Sequence, residues 1–520
     1  MGDTMSEQEH IATRLPVATH EQAVPHQSTH THEQAVPHQP THTHEQAVPH
    51  QPAPTQTHAK THRHATVQQV AHTQTRTQPH TQTHAPALTN RYQQQYRDKL
   101  ISLQQALNLI NTGDTIYSAI NALEPVEFLE QLHTISKRAS DVRLIHAGVF
   151  RPYDFIAKSD YKGKVIPRTR FSDRWTRMTH DAKVTEFIPG HLHNAATKDY
   201  KTANPDVFVG LASPPDKHGF LHFSLGATGE QDAARNARTV ILEINANLPK
   251  THGYTEIHIS DVNYVYESNR PLLEIPQIEP DTADLAIGRF VASLVNDGDT
   301  IQLGIGKIPD AAARAFLNKK DLGVHTEMIT TSMAQLALAG VITGKKKSLL
   351  PRKIVGNFAL GTQELYDFID DNPSVWLLPG RYTNDPYVIA QNNGMISVNS
   401  ALQVDLSGQI ASESIGHVQI AGTGGAADFA IGAGHSRSGK SIIAMRSTAL
   451  NDSQSRIQAV LPKGAIVSIS RNDSDYVVTE YGIAALRGKT LAERAEALIN
   501  IAHPKFRDTI ANQAEELHLW

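Results

Sequence analysis

The residues best suited by type and spacing to do chemistry are Gly304-Ile305-Gly306-Lys307-Ile308 and, a little further on, Glu327. Thr300-Ile301-Gln302-Leu303 reads as a strand, the glycines as a turn, and Asp310 to Leu317 as a helix. A strand-turn-helix of this kind exposes backbone N–H groups at a helix N-terminus, where an anion or a developing oxyanion can sit. Val324-His325-Thr326-Glu327-Met328 reads as a second short strand that ends on a carboxylate. Ligands of open α/β sheets bind outside the carboxyl ends of the strands. Glycine cradle and glutamate would then face one crevice, which suggests acyl chemistry with a carboxylate nucleophile. Most glutamates are simply exposed, so neither piece carries that reading alone.

Other motifs are weaker. Gly434-His435-Ser436-Arg437-Ser438-Gly439-Lys440-Ser441 matches the P-loop pattern by letter. A P-loop needs a strand before it and a helix after it. Here the strand-like Ile442–Met445 follows, so a loop joining two strands is the expectation. Ala421-Gly422-Thr423-Gly424-Gly425-Ala426 is either a tight turn or a place where backbone approaches a ligand carbonyl. His218, in Ser213-Pro214-Pro215-Asp216-Lys217-His218-Gly219-Phe220, is a loop histidine that could touch substrate or be solvated.

The elements that must position these residues form two halves. Residues 1–91 hold 15 of the 29 histidines and no Phe, Tyr or Trp. They repeat Thr-His-Glu-Gln-Ala-Val-Pro-His-Gln from Thr19, Thr31 and Thr43. Such a segment cannot bury enough apolar surface to offset chain entropy, so it is expected to be disordered. Its histidines could bind divalent metals loosely, but no dedicated site is expected. Order is expected from Tyr92. Ser102 caps a helix with Leu103, Ala106, Leu107 and Ile110 on one face. Leu109–Ile116 and Leu294–Ile301 share a helix, Gly-Asp turn, strand pattern. This points to two related α/β domains, 92–270 and 284–520, joined by a proline-marked linker, 271–283. Strands are expected at 142–145, 207–211, 239–244, 353–355, 375–378, 442–445 and 465–469. Helices are expected at 125–135, 230–237, 285–295 and from Leu491 on.

Composition narrows the function. The chain has no cysteine, which excludes thiolate nucleophiles and cysteine-held metals. The net charge of −4 carries no sign of a nucleic-acid binder. No run of 18 apolar residues exists, so no membrane span is expected. The N-terminus lacks the pattern of a signal peptide, and a cytoplasmic location is expected.

Seven stretches together resemble the acetyl-CoA hydrolase/transferase family, and within it the 4-hydroxybutyrate CoA-transferase type. They are SPPDKHGF (213–220), QLGIGKIPDA (302–311), LGVHTEMI (322–329), LYDF (365–368), NSALQVDLSGQIASESIG (399–416), AGTGGAADF (421–429) and SRNDSDYVVTEYGIA (470–484). The resemblance runs from about Arg97 to the C-terminus, and the histidine-rich tail has no counterpart in it. It implies two open α/β domains of class I CoA-transferase type. It places the family's covalent glutamate on Glu327. It places the CoA-binding segment on Gly304, Ile305, Gly306, Lys307 and Ile308, with Ala401 and Gly424 as further CoA contacts. Gly422 and Gly425 share that last loop and are candidates for oxyanion donors. Position 403 is Gln where some relatives carry Glu. The implied activity moves CoA between a short-chain acyl-CoA and a carboxylate, with acetate the foremost acceptor. Coenzyme A serves as substrate and covalent intermediate, no metal or bound cofactor is required, and a homo-oligomer is expected. Alternatives are a short-chain acyl-CoA hydrolase and, more remotely, a histidine-rich metal-binding or scaffolding protein.

Overall fold

A computed structural model describes residues 86–179, 182–195 and 205–519. The disorder expected for residues 1–91 falls, up to residue 85, outside the described residues. The first helix, α1 (Pro86–Lys99), begins ahead of Tyr92, where order was expected. It is followed by α2 (Leu103–Asn108), whose N-cap is Ser102 in a capping box with Gln105. Two donors at the helix start are thereby satisfied. Ala106, Leu107 and Ile110 of its apolar stripe are buried.

Two sheets organise the chain. The first contains β1 (Thr115–Ser118), β2 (Val142–His146), β3 (Val165–Thr169), β4 (Glu186–Phe187), β5 (Val207–Ala212), β6 (Thr239–Asn245) and β8 (Tyr264–Ser268). Its seven strands run in the order β8-β6-β5-β1-β2-β3-β4, all parallel. The short strand β7 (His252–Gly253) leaves this half and joins the edge of the second sheet. That sheet contains β9 (Thr300–Leu303), β10 (Gly323–His325), β11 (Ile354–Gly356), β12 (Val375–Leu377), β13 (Met395–Asn399), β14 (Lys440–Ala444), β15 (Tyr476–Thr479) and β16 (Gly482–Ala485). Its nine strands run β16-β15-β14-β13-β9-β10-β11-β12-β7. All pairs are parallel except the terminal hairpin β15-β16. Continuous buried runs such as Val207–Ala212 are what a parallel sheet covered on both faces requires. The mixed α/β architecture with parallel sheets is the one expected.

The repeated sequence unit adopts one geometry twice. Gly113 and Gly298 both take positive φ, 84° and 86°. The following aspartates each accept from the backbone N–H of the preceding asparagine, Asn111 to Asp114 and Asn296 to Asp299, both at 2.7 Å. The turns feed β1 and β9, each an inner strand of its sheet. Between the halves, residues 271–281 form no helix or strand. The helix expected from Leu285 starts earlier, at Thr282 (α4, Thr282–Ser293), because Asp281 caps it and accepts from Ala283 and Asp284. One apolar core reaches from Phe208 and Leu242 of the first sheet to Ile301, Val324 and Phe358 of the second half.

Other element boundaries or identities also differ from expectation. The helix after the glycine turn runs Lys307–Ala315 (α5) rather than 310–317. Gly306, at φ 112°, makes the turn, and Pro309 is tolerated in the first helical turn, whose N–H groups lack partners anyway. Residues 465–469 are not a strand; only Ile469 bridges to Ile410, and Ile466 and Val467 are exposed after the Pro462–Gly464 turn. Strand β3 is not expected from the sequence, because Pro167 interrupts its pattern. The P-loop lookalike joins a helix, α6 (Ala426–His435), to β14, not two strands.

Candidate active site

Glu327 occupies a two-residue break in its strand. The β10 ladder ends where the N–H of Thr326 donates to Val355 O at 2.9 Å. Pairing resumes between Met328–Ile329 and Phe358–Ala359. Across the break, the Glu327 carbonyl accepts from the N–H groups of Asn357 (2.9 Å) and Phe358 (3.3 Å). The backbone is therefore satisfied while the side chain stands free of the ladder, at the carboxyl end of β10. Below it, buried His325 donates from Nε2 to Thr383 O at 2.9 Å. Burial pushes the pKa of this imidazole down to about 3, so it is a neutral part of the scaffold.

The Glu327 carboxyl borders a cleft of about 250 Å³. Leu303, Gly304 and Ile305 come from the end of β9, Ala401 and Leu402 from beyond β13, and Gly422 to Ala426 from the loop that starts α6. Phe171, Ser172 and Arg177 close it from the first half. Arg177 donates from Nη1 to Ile420 O at 2.6 Å, which ties that wall to the glycine loop. Of the residues singled out from sequence, Glu327, Gly304, Ile305, Ala401, Gly422, Gly424 and Gly425 border this one cleft. Gly306 instead borders a smaller cavity with Gln277 and Asp310, Ile308 is in the core, and Lys307 lines neither space. His218 sits in an exposed turn held by Asp216 and does not line the cleft.

The glycines are there for close approach. A Cβ on Gly425 would fall 2.0 Å from Glu327 Oε2 and 2.2 Å from Asn384 Nδ2. A Cβ on Gly422 would fall 2.3 Å from the carbonyl oxygen of Arg170. The Gly425 backbone N–H lies beside the Glu327 carboxyl and favours its ionised form. Asn384 donates to Glu327 Oε2 at 2.8 Å. Its own carbonyl oxygen accepts from Asn357 Nδ2 at 2.7 Å, and Asn357 Oδ1 accepts from Thr228 Oγ1 at 3.0 Å. Thr228, Asn357 and Asn384 are all buried. An ionised Glu327 can only accept, so the Asn384 NH₂ points at it, and that choice sets the ends that Asn357 and Thr228 present in turn.

The glutamate keeps some access to the cleft, yet protein surrounds its carboxyl. Burial pushes its pKa up to about 7; the donors Asn384 and Gly425 pull it down, and the charge of nearby Asp428 pushes it up. The ionised form is the state a carboxylate nucleophile needs, and the Asn384 donor favours it. Sequence reasoning missed Asn384, Asn357, Thr228 and Asp428. Asn384 lies in an ordinary-looking Thr-Asn-Asp-Pro turn, and only the fold brings it to Glu327. Among the described residues, no three His, Asp or Glu side chains are grouped to hold a metal ion. No helix among them is long and apolar enough to cross a membrane.

Parallel sheets thus bring a glutamate and a glycine loop to one cleft. Two family models match the chain, the acetyl-CoA hydrolase/transferase N-terminal domain over residues 87–275 and the C-terminal domain over 361–514. The chain belongs to the acetyl-CoA hydrolase/transferase family. It is 41% identical to a 4-hydroxybutyrate coenzyme A transferase of Clostridium kluyveri, over 81% of this chain and 98% of that one. It is 36% identical to a probable butyrate:acetyl-CoA coenzyme A-transferase of Syntrophomonas wolfei, over 82% and 97%. The crystal structure of RipA from Yersinia pestis superposes with a TM-score of 0.79 at 32% identity, over 82% of this chain and all of that one.

Proposed function

We propose that this enzyme transfers CoA from a short-chain acyl-CoA to a carboxylate, with acetate as the foremost acceptor and Glu327 as the covalent nucleophile. The observation that carries the reading is a half-buried carboxylate at a cleft, held by an asparagine and flanked by the glycine loop. Gly304, Ile305, Ala401 and Gly424 are assigned to the CoA side of the cleft, with Gly306, Lys307 and Ile308 continuing that segment.

The reaction follows from these groups. A Glu327 oxygen attacks the thioester carbonyl carbon, the C–S bond breaks, and CoA leaves as a thiolate, giving an acyl–glutamyl anhydride. The thiolate attacks the glutamyl carbonyl carbon. The carboxylate product leaves, and a glutamyl–CoA thioester remains. An acceptor carboxylate then attacks that thioester, and the same two steps run backwards to release the new acyl-CoA and free Glu327. Each tetrahedral intermediate carries an oxyanion that the Gly422–Gly425 backbone can stabilise, and losing one such donor typically costs about 3–4 kcal/mol. A covalent path splits one difficult displacement into easier ones.

A screen of acyl-CoA donors against carboxylate acceptors tests the assignment. Formation of a new acyl-CoA that depends on added acetate supports transfer. Release of free CoA at the same rate with and without acetate would instead make water the acceptor and the enzyme a hydrolase.

A further inference from the structure

The Gly425 N–H lies beside the Glu327 carboxyl and belongs to the same peptide unit as the Gly424 carbonyl. In a trans peptide these two groups point in opposite directions. The outward-facing carbonyl is not left to solvent. It accepts, at 3.2 Å, from the backbone N–H of Leu192, the first residue of the short helix α3 (Leu192–Ala195) in the first half of the chain. The next residue grips the helix that this peptide opens. The His193 N–H donates to Asp428 Oδ2 at 3.2 Å, and His193 Nδ1 lies 2.7 Å from Asp428 Oδ1. Asp428 is buried and sits in the first turn of α6. His191 stacks on His193 with ring centroids 5.6 Å apart, and its Nδ1 lies 3.6 Å from the same carboxylate oxygen.

We propose that Leu192 and His193 are positioning residues for the Gly425 oxyanion donor. They hold the Gly424–Gly425 peptide from behind, so that its N–H is aimed into the cleft before substrate arrives. The inference rests on the transferase reading above. The physical case has three parts. Gly424 has φ 53° and Gly425 lacks a side chain, so the loop itself supplies little resistance to rotation of that peptide. A carbonyl that accepts a hydrogen bond polarises its peptide and strengthens the N–H on the other side. Fixing a donor in advance spares reorganisation when charge develops, which is where such donors act.

The test compares variants that differ in one donor. Position 192 opens its helix, where proline is tolerated, so Leu192→Pro removes the N–H and Leu192→Ala keeps it. We expect kcat of Leu192→Pro to be about 100-fold below that of Leu192→Ala, because a misplaced reacting group costs about that much. KM for acyl-CoA should agree between them within about 3-fold, as expected when only a transition-state interaction is lost. His193→Ala should lower kcat by about 10-fold, and His193→Gln, which keeps a donor for Asp428, should recover most of it. Circular dichroism checks folding; if Leu192→Pro does not fold, the His193 pair decides. A wild-type chain that transfers CoA while the folded variants show equal kcat, or differ only in KM, overturns this inference and leaves the transferase reading standing. A wild-type chain that neither transfers CoA nor takes up an acyl label overturns both.

Discussion

At the scale of the residue, Glu327 is defined by what it accepts from. A carboxylate in water is well solvated and a poor nucleophile; here the Asn384 amide and the close-packed glycine loop replace part of that water. Glu327→Gln keeps the shape and removes the attacking anion, and transfer should be nearly abolished. Glu327→Asp withdraws the carboxylate by one methylene, and about 1% of the rate should remain at most. CoA binding should survive both. Borohydride reduction of the enzyme incubated with acyl-CoA alone, followed by peptide mapping, should mark Glu327; a mark on another glutamate would end the assignment. The pH profile adds a second expectation. Glu327 acts as the anion and its pKa is raised to about 7, so kcat/KM should fall as pH drops through about 7. Asn384→Ala removes a donor that favours the anion. The acidic limb should then move to higher pH, with a lower plateau. An unmoved limb in a folded Asn384→Ala variant would mean that this hydrogen bond does not set the ionisation of Glu327.

At the scale of the element, the start of α6 matters more than its length. Gly425 has φ −103°, a conformation alanine adopts freely, so Gly425→Ala should not strain the backbone. Its Cβ would, however, occupy space already filled by Glu327 Oε2 and Asn384 Nδ2. We therefore expect Gly425→Ala to lose about 100-fold or more in kcat with little change in thermal midpoint. A variant that melts far below the wild type would show the position to be structural instead. The contrast with the P-loop lookalike is instructive. Lys440 donates to Leu294 O at 2.7 Å and lines no part of the cleft, so Lys440→Ala should leave transfer nearly intact.

At the scale of the whole molecule, the strand carrying Glu327 rests on a buried lysine. Lys347 Nζ donates to Val324 O at 2.7 Å and to Lys353 O at 2.9 Å, and its stem covers Gly323. Burial pushes its pKa down to about 7. The unfolded chain holds that proton up to about pH 10.4, whereas the folded chain releases it near 7. Between these limits the unfolded state binds more protons, so stability contributed by this group rises with pH; below about 7 the penalty of burying the charge is fully present. Urea midpoints near pH 7 and about pH 9.5 should therefore rise more in the wild type than in Lys347→Met. Equal rises in the two would show that Lys347 stays charged in the fold. Among the described residues, those lining the cleft all lie between Phe171 and Phe429. Deleting residues 1–85 should accordingly leave full turnover, and a deletion that abolished it would revive a functional role for the histidine-rich segment.

Local pattern was enough for what depends on neighbours in sequence. The strand-turn-helix at 300–308, the capped helix after Ser102 and the paired Gly-Asp turns each rest on hydrogen bonds within a few residues, so composition and spacing reveal them. The same holds for the glycine loop at 422–425, whose glycines announce close approach without saying to what. The break that frees Glu327 from its ladder depends on Asn357 and Phe358, some thirty residues on. Its carboxyl is held by Asn384 and flanked by Gly425, the Gly424 carbonyl accepts from Leu192, and His193 is paired with Asp428. Gly425 apart, none of these partners carries a mark of its own. An asparagine in a turn or a leucine N–H becomes part of a site only when parallel strands bring the carboxyl ends of distant segments to one crevice, and sheet order, which is a long-range choice, decides which segments those are.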